Sequence, residues 1–349
     1  MNIKSCRQLQ IAPRHIFIPI IWVTNRCNLR CKMCDQWKTS QTLLSKELTT
    51  KEWYSFVDSA VRLNAALISI TGGEPFLRKD IFDIIKYVNK KKIASHLCSN
   101  GTLLNEQTVN KIKDSGLNSI SISLDSDCAD IHNEMRGDDC FYAVIRGISL
   151  LKLMAPRIKI GLNCVITKHN FRGIYKMVNF AESLGVNQIK FDLIHTNLVH
   201  RKKNISTFNG CLFNKDDMRE LLPEIDKLAD SLSKTKLIKS SRTFINGMLA
   251  HISDEAYMNF PCYSGYISCT VDALGWVSPC DEFDGLENIR DKPFEEIWNS
   301  QSFQRLRQRA HNCKSRCWDT THAEINIRCS IPGIMNEFAG IIKETAFYF

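Results

Sequence analysis

Residues 16–34 read IFIPIIWVTNRCNLRCKMC, an apolar run followed at once by three cysteines. The run has the length and composition of a buried strand, so Cys27, Cys31 and Cys34 are predicted to lie on the loop that leaves its carboxyl end. Folds with parallel strands build their active sites at that end. Three thiolates are one fewer than a structural zinc site or a ferredoxin-type cluster uses. A four-iron cluster on this loop would therefore keep one iron open for a substrate or cofactor.

The rest of the N-terminal two thirds repeats one pattern. Amphipathic segments alternate with short apolar runs, which lie at residues 66–70, 93–98, 119–124, 158–166 and 188–194. This alternation is typical of βα units, and Thr49 with Glu52 predicts a capping box at the start of a helix over residues 50–62. Six strands with intervening helices predict an α/β fold, a partial (β/α)6 barrel of the TIM type that binds ligands at the strands' carboxyl ends.

The C-terminal third has a different character. From residue 261 onward the chain is rich in cysteine, glycine and turn residues, which predicts a small module stabilised by metal more than by a core. We expect a partial barrel over residues 1–235 and a cysteine-rich iron-sulfur module with a C-terminal helix over residues 236–349.

Composition and charge exclude several classes of protein. The chain has 349 residues, 15 cysteines and a formal net charge of +9. Its basic residues are scattered and accompany no nucleic-acid-binding motif, so no nucleic-acid partner is expected. The N-terminal apolar run is too short to cross a bilayer and has no cleavage site after it. We therefore expect a cytoplasmic protein with reduced thiols and no membrane partner.

The spacing Cys27-x3-Cys31-x2-Cys34 resembles the signature of the radical SAM superfamily. In that family the open iron of a [4Fe-4S] cluster binds S-adenosyl-L-methionine (SAM), and the reduced cluster cleaves it to a 5'-deoxyadenosyl radical. TGGEP, CSNGTLL and SLDS resemble further family motifs in the matching strand order, at residues 71–75, 98–104 and 123–126. The alternative for the three cysteines is a zinc site that borrows His15.

The resemblance also implies which residues bind SAM. The turn at residues 72–74 would present backbone groups to the methionine amine, and Ser123 with Arg136 would hold the carboxylate through a guanidinium fork. Asn163 and Val165 would contact adenine and ribose, and a surface salt bridge is the alternative role of Arg136. The candidate SAM-binding residues are Gly72, Gly73, Glu74, Ser123, Asp125, Arg136, Asn163 and Val165.

Residues 262–283, CYSGYISCTVDALGWVSPCDEF, resemble the opening of the SPASM/twitch extension of radical SAM enzymes, which binds auxiliary clusters. We expect one auxiliary [4Fe-4S] cluster, with structural zinc as the alternative. Asp281 is a candidate catalytic base beside a presumed ligand, or else a carboxylate that stabilises a turn. Cys269 is expected to pack in a strand. The expected ligands are Cys262, Cys280, Cys313 and Cys317, with Cys329 as the substitute.

The resemblance implies a radical SAM oxidoreductase or isomerase. Such an enzyme would abstract a hydrogen atom from a biosynthetic small molecule, leading to oxidation, epimerisation or rearrangement, with electrons from a flavodoxin- or ferredoxin-type donor. The alternatives are a maturase that modifies a ribosomal peptide and a non-catalytic metal-binding protein on the same scaffold. Many peptide maturases carry a leader-binding domain ahead of the barrel, so the short stretch before the first motif favours a small molecule.

Overall fold

The structure is a computed structural model, and the part of the chain that it describes has several gaps. The predicted C-terminal helix falls in a region where residues 331–341, 343 and 344 lie outside the described part. The described residues are 3–39, 41–194, 208, 210–252, 261–313, 317–330, 342 and 345–349.

All strands of the described residues belong to one sheet in the order β6-β5-β4-β3-β2-β1-β7-β8-β9. Strands β1 to β6 pair in parallel in chain order, and β7 pairs in parallel with β1 before an antiparallel extension through β8 and β9. The first six strands form the open, barrel-like α/β unit that the sequence predicts. The strands are β1 (Ile18–Trp22), β2 (Leu67–Thr71), β3 (Ala94–Ser99), β4 (Ser119–Ser123), β5 (Lys159–Ile166), β6 (Gln188–Leu193), β7 (Ser268–Val271), β8 (Trp276–Ser278) and β9 (Glu287–Asn288).

Helices follow the strands of the barrel, and successive helices pack against one another around it. The α-helices are α1 (Ile3–Gln8), α2 (Gln41–Leu44), α3 (Thr50–Arg62), α4 (Ile81–Lys90), α5 (Glu106–Ser115), α6 (Ala129–Arg136), α7 (Phe141–Met154), α8 (Ile174–Leu184), α9 (Lys215–Ser231), α10 (Arg242–Ile252), α11 (Phe294–Asn299), α12 (Gln301–His311) and α13 (Ala323–Cys329).

Local sequence signals explain where these elements begin and which face they bury. The backbone N–H of Thr49 donates to the Glu52 carboxylate at 2.6 Å, and Thr49 Oγ1 accepts from the Glu52 N–H, which confirms the predicted capping box of α3. Cys269 is fully buried in β7, as expected of a packing residue. The apolar strand residues and the inner helix faces form one continuous core.

The C-terminal module is organised around the buried side chain of Arg307. Its Nε donates to the Gly265 carbonyl and its Nη2 to the Trp298 carbonyl, both at 2.7 Å, and the guanidinium lies 4.3 Å from the Trp298 ring. Trp298 Nε1 in turn donates to the Pro13 carbonyl at 2.9 Å. The module is thereby tied to the segment that leads into the amino end of β1.

Candidate active site

The loop that carries Cys27, Cys31 and Cys34, called the cysteine loop below, leaves the carboxyl end of β1. Backbone hydrogen bonds join it to the loop after β2. The Gly73 N–H donates to the Thr24 carbonyl at 2.8 Å, and the Glu74 N–H donates to the Arg26 carbonyl at 2.7 Å. A Cβ at Gly72 would lie 2.3 Å from the Thr24 oxygen, and one at Gly73 would lie 2.1 Å from the Arg26 oxygen. Glycine is therefore required here so that the two backbones can approach, a role that adds to the predicted contact with SAM.

The three thiols differ in exposure. Cys31 is buried against Leu29 and Met33, whereas Cys27 and Cys34 are partly exposed. Burial raises the pKa of Cys27 to about 11, so without a metal this thiol keeps its proton at neutral pH. A bound metal would displace the proton, because the thiolate is the ligand.

His15 does not belong to this group. It precedes β1 and bonds the Asn64 side chain at 2.9 Å, whereas the cysteines follow the opposite end of the strand. The alternative of a zinc site that borrows His15 is therefore wrong.

The three cysteines of this loop could in principle bind either a zinc ion or a four-iron cluster, and the two differ in how close the sulfur atoms must be. Among the residues that the structure describes, no three His, Cys, Asp or Glu side chains lie close enough together to hold one metal ion. Thiolates on one zinc ion lie about 2.3 Å from it and hence within roughly 4 Å of one another. The thiolates of a four-iron cluster need no such convergence, because each binds a different iron. The three thiolates of this loop suit a four-iron cluster, which keeps its fourth iron open for another ligand.

Behind the cavity wall, Asp125 joins three elements. Its carboxylate accepts from Arg136 Nε at 2.6 Å and from the Val165 N–H at 3.0 Å, and its own N–H donates to His132 Nδ1 at 3.2 Å. Nη1 of Arg136 lies 3.9 Å from the Cys31 sulfur. Arg136 is only 8% exposed, so a surface salt bridge, its alternative role, is ruled out.

The Glu74 side chain holds the loops after β2 and β3 together. Its carboxylate accepts from the N–H groups of Phe76 and Asn100 and from the Ser99 hydroxyl, at 2.7 to 3.1 Å. Complete burial raises its pKa to about 7, partly offset by these hydrogen bonds. The carboxylate is thus directed away from the cavity, and a contact between Glu74 and SAM would use the backbone.

A cavity of about 700 Å³ runs through the barrel interior towards the C-terminal module. Asp281 lies on its wall at the module side. The cavity joins several residues that the sequence predicts for the site, namely Cys34, Gly72, Ser123, Arg136, Asn163, Val165 and Asp281. Gly73, Glu74 and Asp125 do not line it and act from behind its wall.

Three of the C-terminal cysteines lie near one another, and Cys313 and Cys329 lie elsewhere. Cys280 is buried beside His322, and Cys262 and Cys317 lie within electrostatic range of it. Cys313, in contrast, is exposed at the end of α12, next to residues 314–316 outside the described part. Cys329 lies on the cavity wall at the end of α13.

The sequence analysis did not predict His322 or a group of polar residues on the cavity wall. This group, the polar floor, consists of Lys190, Asp192, Thr320 and Tyr348. Lys190 Nζ donates to the Tyr348 hydroxyl at 2.8 Å, and Asp192 accepts from the Thr320 N–H at 2.7 Å. Burial raises the pKa of Asp192 to about 6. A signal was present in QIKFDL, residues 188–193, where polar residues alternate with apolar ones and so share one face of β6.

Among the described residues, no helix is both long and apolar enough to cross a membrane.

Two family models match the chain. The model of the radical SAM superfamily matches residues 21–181, and that of the SPASM iron-sulfur cluster-binding domain matches residues 262–319. An AdoMet-dependent heme synthase of Methanosarcina barkeri is 28% identical over 89% of this chain and 90% of its own length. A PqqA peptide cyclase of Granulibacter bethesdensis is 24% identical over 82% of this chain and 74% of its own length.

Solved structures share the fold. SuiB of Streptococcus suis, bound to the precursor peptide SuiA, superimposes with a TM-score of 0.65 at 17% identity, covering 86% of this chain and 69% of its own. The protein anSMEcpe, bound to AdoMet and a peptide, superimposes with a TM-score of 0.64 at 19% identity, covering 95% of this chain and 96% of its own.

Proposed function

Because the chain belongs to the radical SAM superfamily and carries a C-terminal SPASM module, we propose that it abstracts a hydrogen atom from a biosynthetic small molecule bound in the cavity. The observation that carries this proposal is the continuity of the cavity. One space joins Cys34 and Arg136, at the SAM end, to Asp281 at the module end. A substrate between these ends would meet both SAM and the residues beside the auxiliary cluster.

The residues in and behind the cavity wall have distinct tasks in this scheme. Cys27, Cys31 and Cys34 would hold the [4Fe-4S] cluster, which when bound and reduced would supply the electron for cleavage of SAM to methionine and a 5'-deoxyadenosyl radical. Arg136, oriented by Asp125, and Ser123 bind the methionine carboxylate. The glycine turn keeps the cysteine loop in place, and Asn163 and Val165 line the wall for adenine and ribose.

The cavity volume supports a small substrate. About 700 Å³ lies within the range of pockets that bind small ligands, and SAM must occupy part of it. Polar groups at the floor, including Lys190 and Asp192, would orient a substrate with hydroxyl, carboxylate or amine groups. The electron donor is a flavodoxin- or ferredoxin-type protein.

A peptide substrate is the second candidate. It is supported by the PqqA peptide cyclase among the relatives, as the small molecule is supported by the heme synthase. A single peptide side chain would need no more room in the cavity than a small molecule. Both relatives' names define the first compounds to test, which are tetrapyrroles and peptides.

The test is SAM cleavage by anaerobically reconstituted protein with dithionite, with each class of substrate. Wild type should form 5'-deoxyadenosine, and a variant with Cys27, Cys31 and Cys34 all changed to alanine should form none and lose about four irons. Cys128→Ser, at an exposed cysteine outside both groups, is the matched control and should behave as wild type. Undiminished cleavage by the triple variant, or none by reconstituted wild type, would overturn the proposal, the latter in favour of a non-catalytic metal-binding protein.

A further inference from the structure

We propose that His322, rather than Cys313, supplies the fourth ligand of the auxiliary cluster, together with Cys262, Cys280 and Cys317. This inference rests on the SPASM module and is independent of the substrate. A cluster with one imidazole and three thiolate ligands differs from the four-cysteine site that the sequence predicts.

The first argument is the position of the His322 ring. His322 is only 8% exposed and lies beside Cys280, a presumed ligand. Cys317 lies within electrostatic range of both His322 and Cys280, and Cys262 lies within that range of Cys280. His322 therefore lies among the three cysteines that the structure brings together.

The second argument is that the ring is already oriented as metal-binding imidazoles are. Its Nδ1 lies 3.0 Å from both carboxylate oxygens of Asp319. That carboxylate is itself fixed, because Oδ1 accepts from the N–H groups of Thr321 and His322 at 2.8 Å. Metal-bound histidines commonly donate their other ring N–H to a carboxylate, which sets the tautomer and leaves the remaining nitrogen for the metal. With Nδ1 directed at Asp319, Nε2 would be the ligand atom.

The third argument concerns the competing cysteines. Cys313 is exposed, whereas Cys280 is buried and His322 nearly so. Cys329 is the last residue of α13 and His322 is its N-cap, so the two stand at opposite ends of the helix, about 10 Å apart. Cys313 is therefore the weaker candidate by its exposure, and Cys329 stands away from the end of α13 that His322 caps.

The fourth argument is that Cys262 is held on the same side of the module. Nε of Arg7 donates to the Cys262 carbonyl at 2.6 Å, and the N–H of Tyr263 donates to the side chain of Asn326 on α13 at 2.9 Å. These bonds fix the backbone of the first ligand relative to the helix that His322 caps.

The experiment isolates the auxiliary cluster in the full chain. The protein with Cys27, Cys31 and Cys34 changed to alanine would contain this cluster alone, so its spectra do not depend on SAM cleavage. In that background, pulsed EPR of the reduced cluster should show a strongly coupled ¹⁴N, which His322→Ala should lose. Cys313→Ala should keep both the ¹⁴N coupling and about four irons.

His322→Cys keeps a ligand at the position and guards against a folding defect in the alanine variant. It should retain about four irons, lose the ¹⁴N coupling and shift the reduction potential downward, because a thiolate makes the cluster more negative than an imidazole does. Absence of ¹⁴N coupling in the parent protein, loss of iron in Cys313→Ala, or stoichiometric zinc without iron would each overturn the proposal. If SAM cleavage failed in the wild type while these spectra held, only the proposed function would be lost.

Discussion

The Asp125 carboxylate accepts a 2.6 Å hydrogen bond from Nε of Arg136, and both side chains are buried at the edge of the cavity. The second carboxylate oxygen accepts from the Val165 N–H, and Nη1 of Arg136 reaches towards the Cys31 sulfur. One ion pair thus links β5, α6 and the cysteine loop. An arginine held on one side by a buried carboxylate presents the rest of its fork in a fixed direction, which suits a ligand carboxylate.

Asp125→Asn should therefore weaken SAM binding without removing the cluster. The change leaves the Arg136 guanidinium buried without its counter-charge, and hydrogen bonds to charged groups contribute about 1.5–3 kcal/mol. We expect the Kd for SAM to rise roughly 10- to 100-fold. Anaerobic equilibrium dialysis measures it, with Asp127→Asn as control because Asp127 is exposed in the same loop. Equal affinity in all three proteins would show that the pair does not position the SAM site.

His132 predicts a pH dependence of stability. Its Nδ1 accepts from the Asp125 N–H, which requires an unprotonated nitrogen, and its buried Nε2 meets no hydrogen-bond partner among the described residues. Burial lowers the pKa of His132 to about 4. Between about pH 4 and 6.5 the unfolded chain therefore binds a proton that the folded chain does not, so the free energy of unfolding falls as the pH falls through this window.

His132→Asn keeps an acceptor near the position of Nδ1 but does not titrate. The stability advantage of wild type over this variant should shrink by roughly 2 kcal/mol between pH 7.5 and 4.5. Urea unfolding of both metal-free proteins at several pH values measures the difference. Parallel pH profiles would mean that His132 does not stay neutral in the fold.

Much of the barrel and part of the site follow from local sequence. Strands such as β2 and β4 are apolar runs between turn signals, and the cysteine loop falls at a strand end because the motif directly follows β1. The pairing of Arg136 with Asp125 was not predictable, since the two residues are 11 positions apart and only the turn between β4 and α6 brings them together. His322 was not predicted as a ligand, because the cysteines of the C-terminal module already supply four candidate ligands for the auxiliary cluster. Its contact with Cys280 joins residues far apart in the chain, and only the fold brings them together.

Arg307 should be the most sensitive side chain of the C-terminal module. Arg307→Ala would leave the carbonyls of Gly265 and Trp298 without their donor and create a cavity beside the Trp298 ring. Unsatisfied buried polar groups and cavities of this kind cost about 3–5 kcal/mol in total. Thermal melting of the reconstituted proteins measures the effect, and Arg305→Ala, at an exposed arginine of the same helix, should change little. A melting temperature of Arg307→Ala equal to that of Arg305→Ala would show that the module does not depend on this contact.

Asp281 lies on the cavity wall directly after the buried Cys280, where it could act as a base towards a bound substrate. A substrate radical that is oxidised must lose a proton as well as an electron, and an α-deprotonated ketyl-type radical is a far stronger reductant than its neutral parent. A carboxylate beside the electron acceptor, which is the auxiliary cluster, would take that proton.

Hydrogen abstraction comes before this step, so Asp281→Asn should leave SAM cleavage largely intact and suppress the oxidised product. Once a substrate is found, 5'-deoxyadenosine and product are assayed together, with Asp284→Asn as control because Asp284 is exposed on the same loop. Equal product per cleavage in wild type and Asp281→Asn would remove Asp281 from the mechanism, and a redox-neutral product would point to epimerisation or rearrangement.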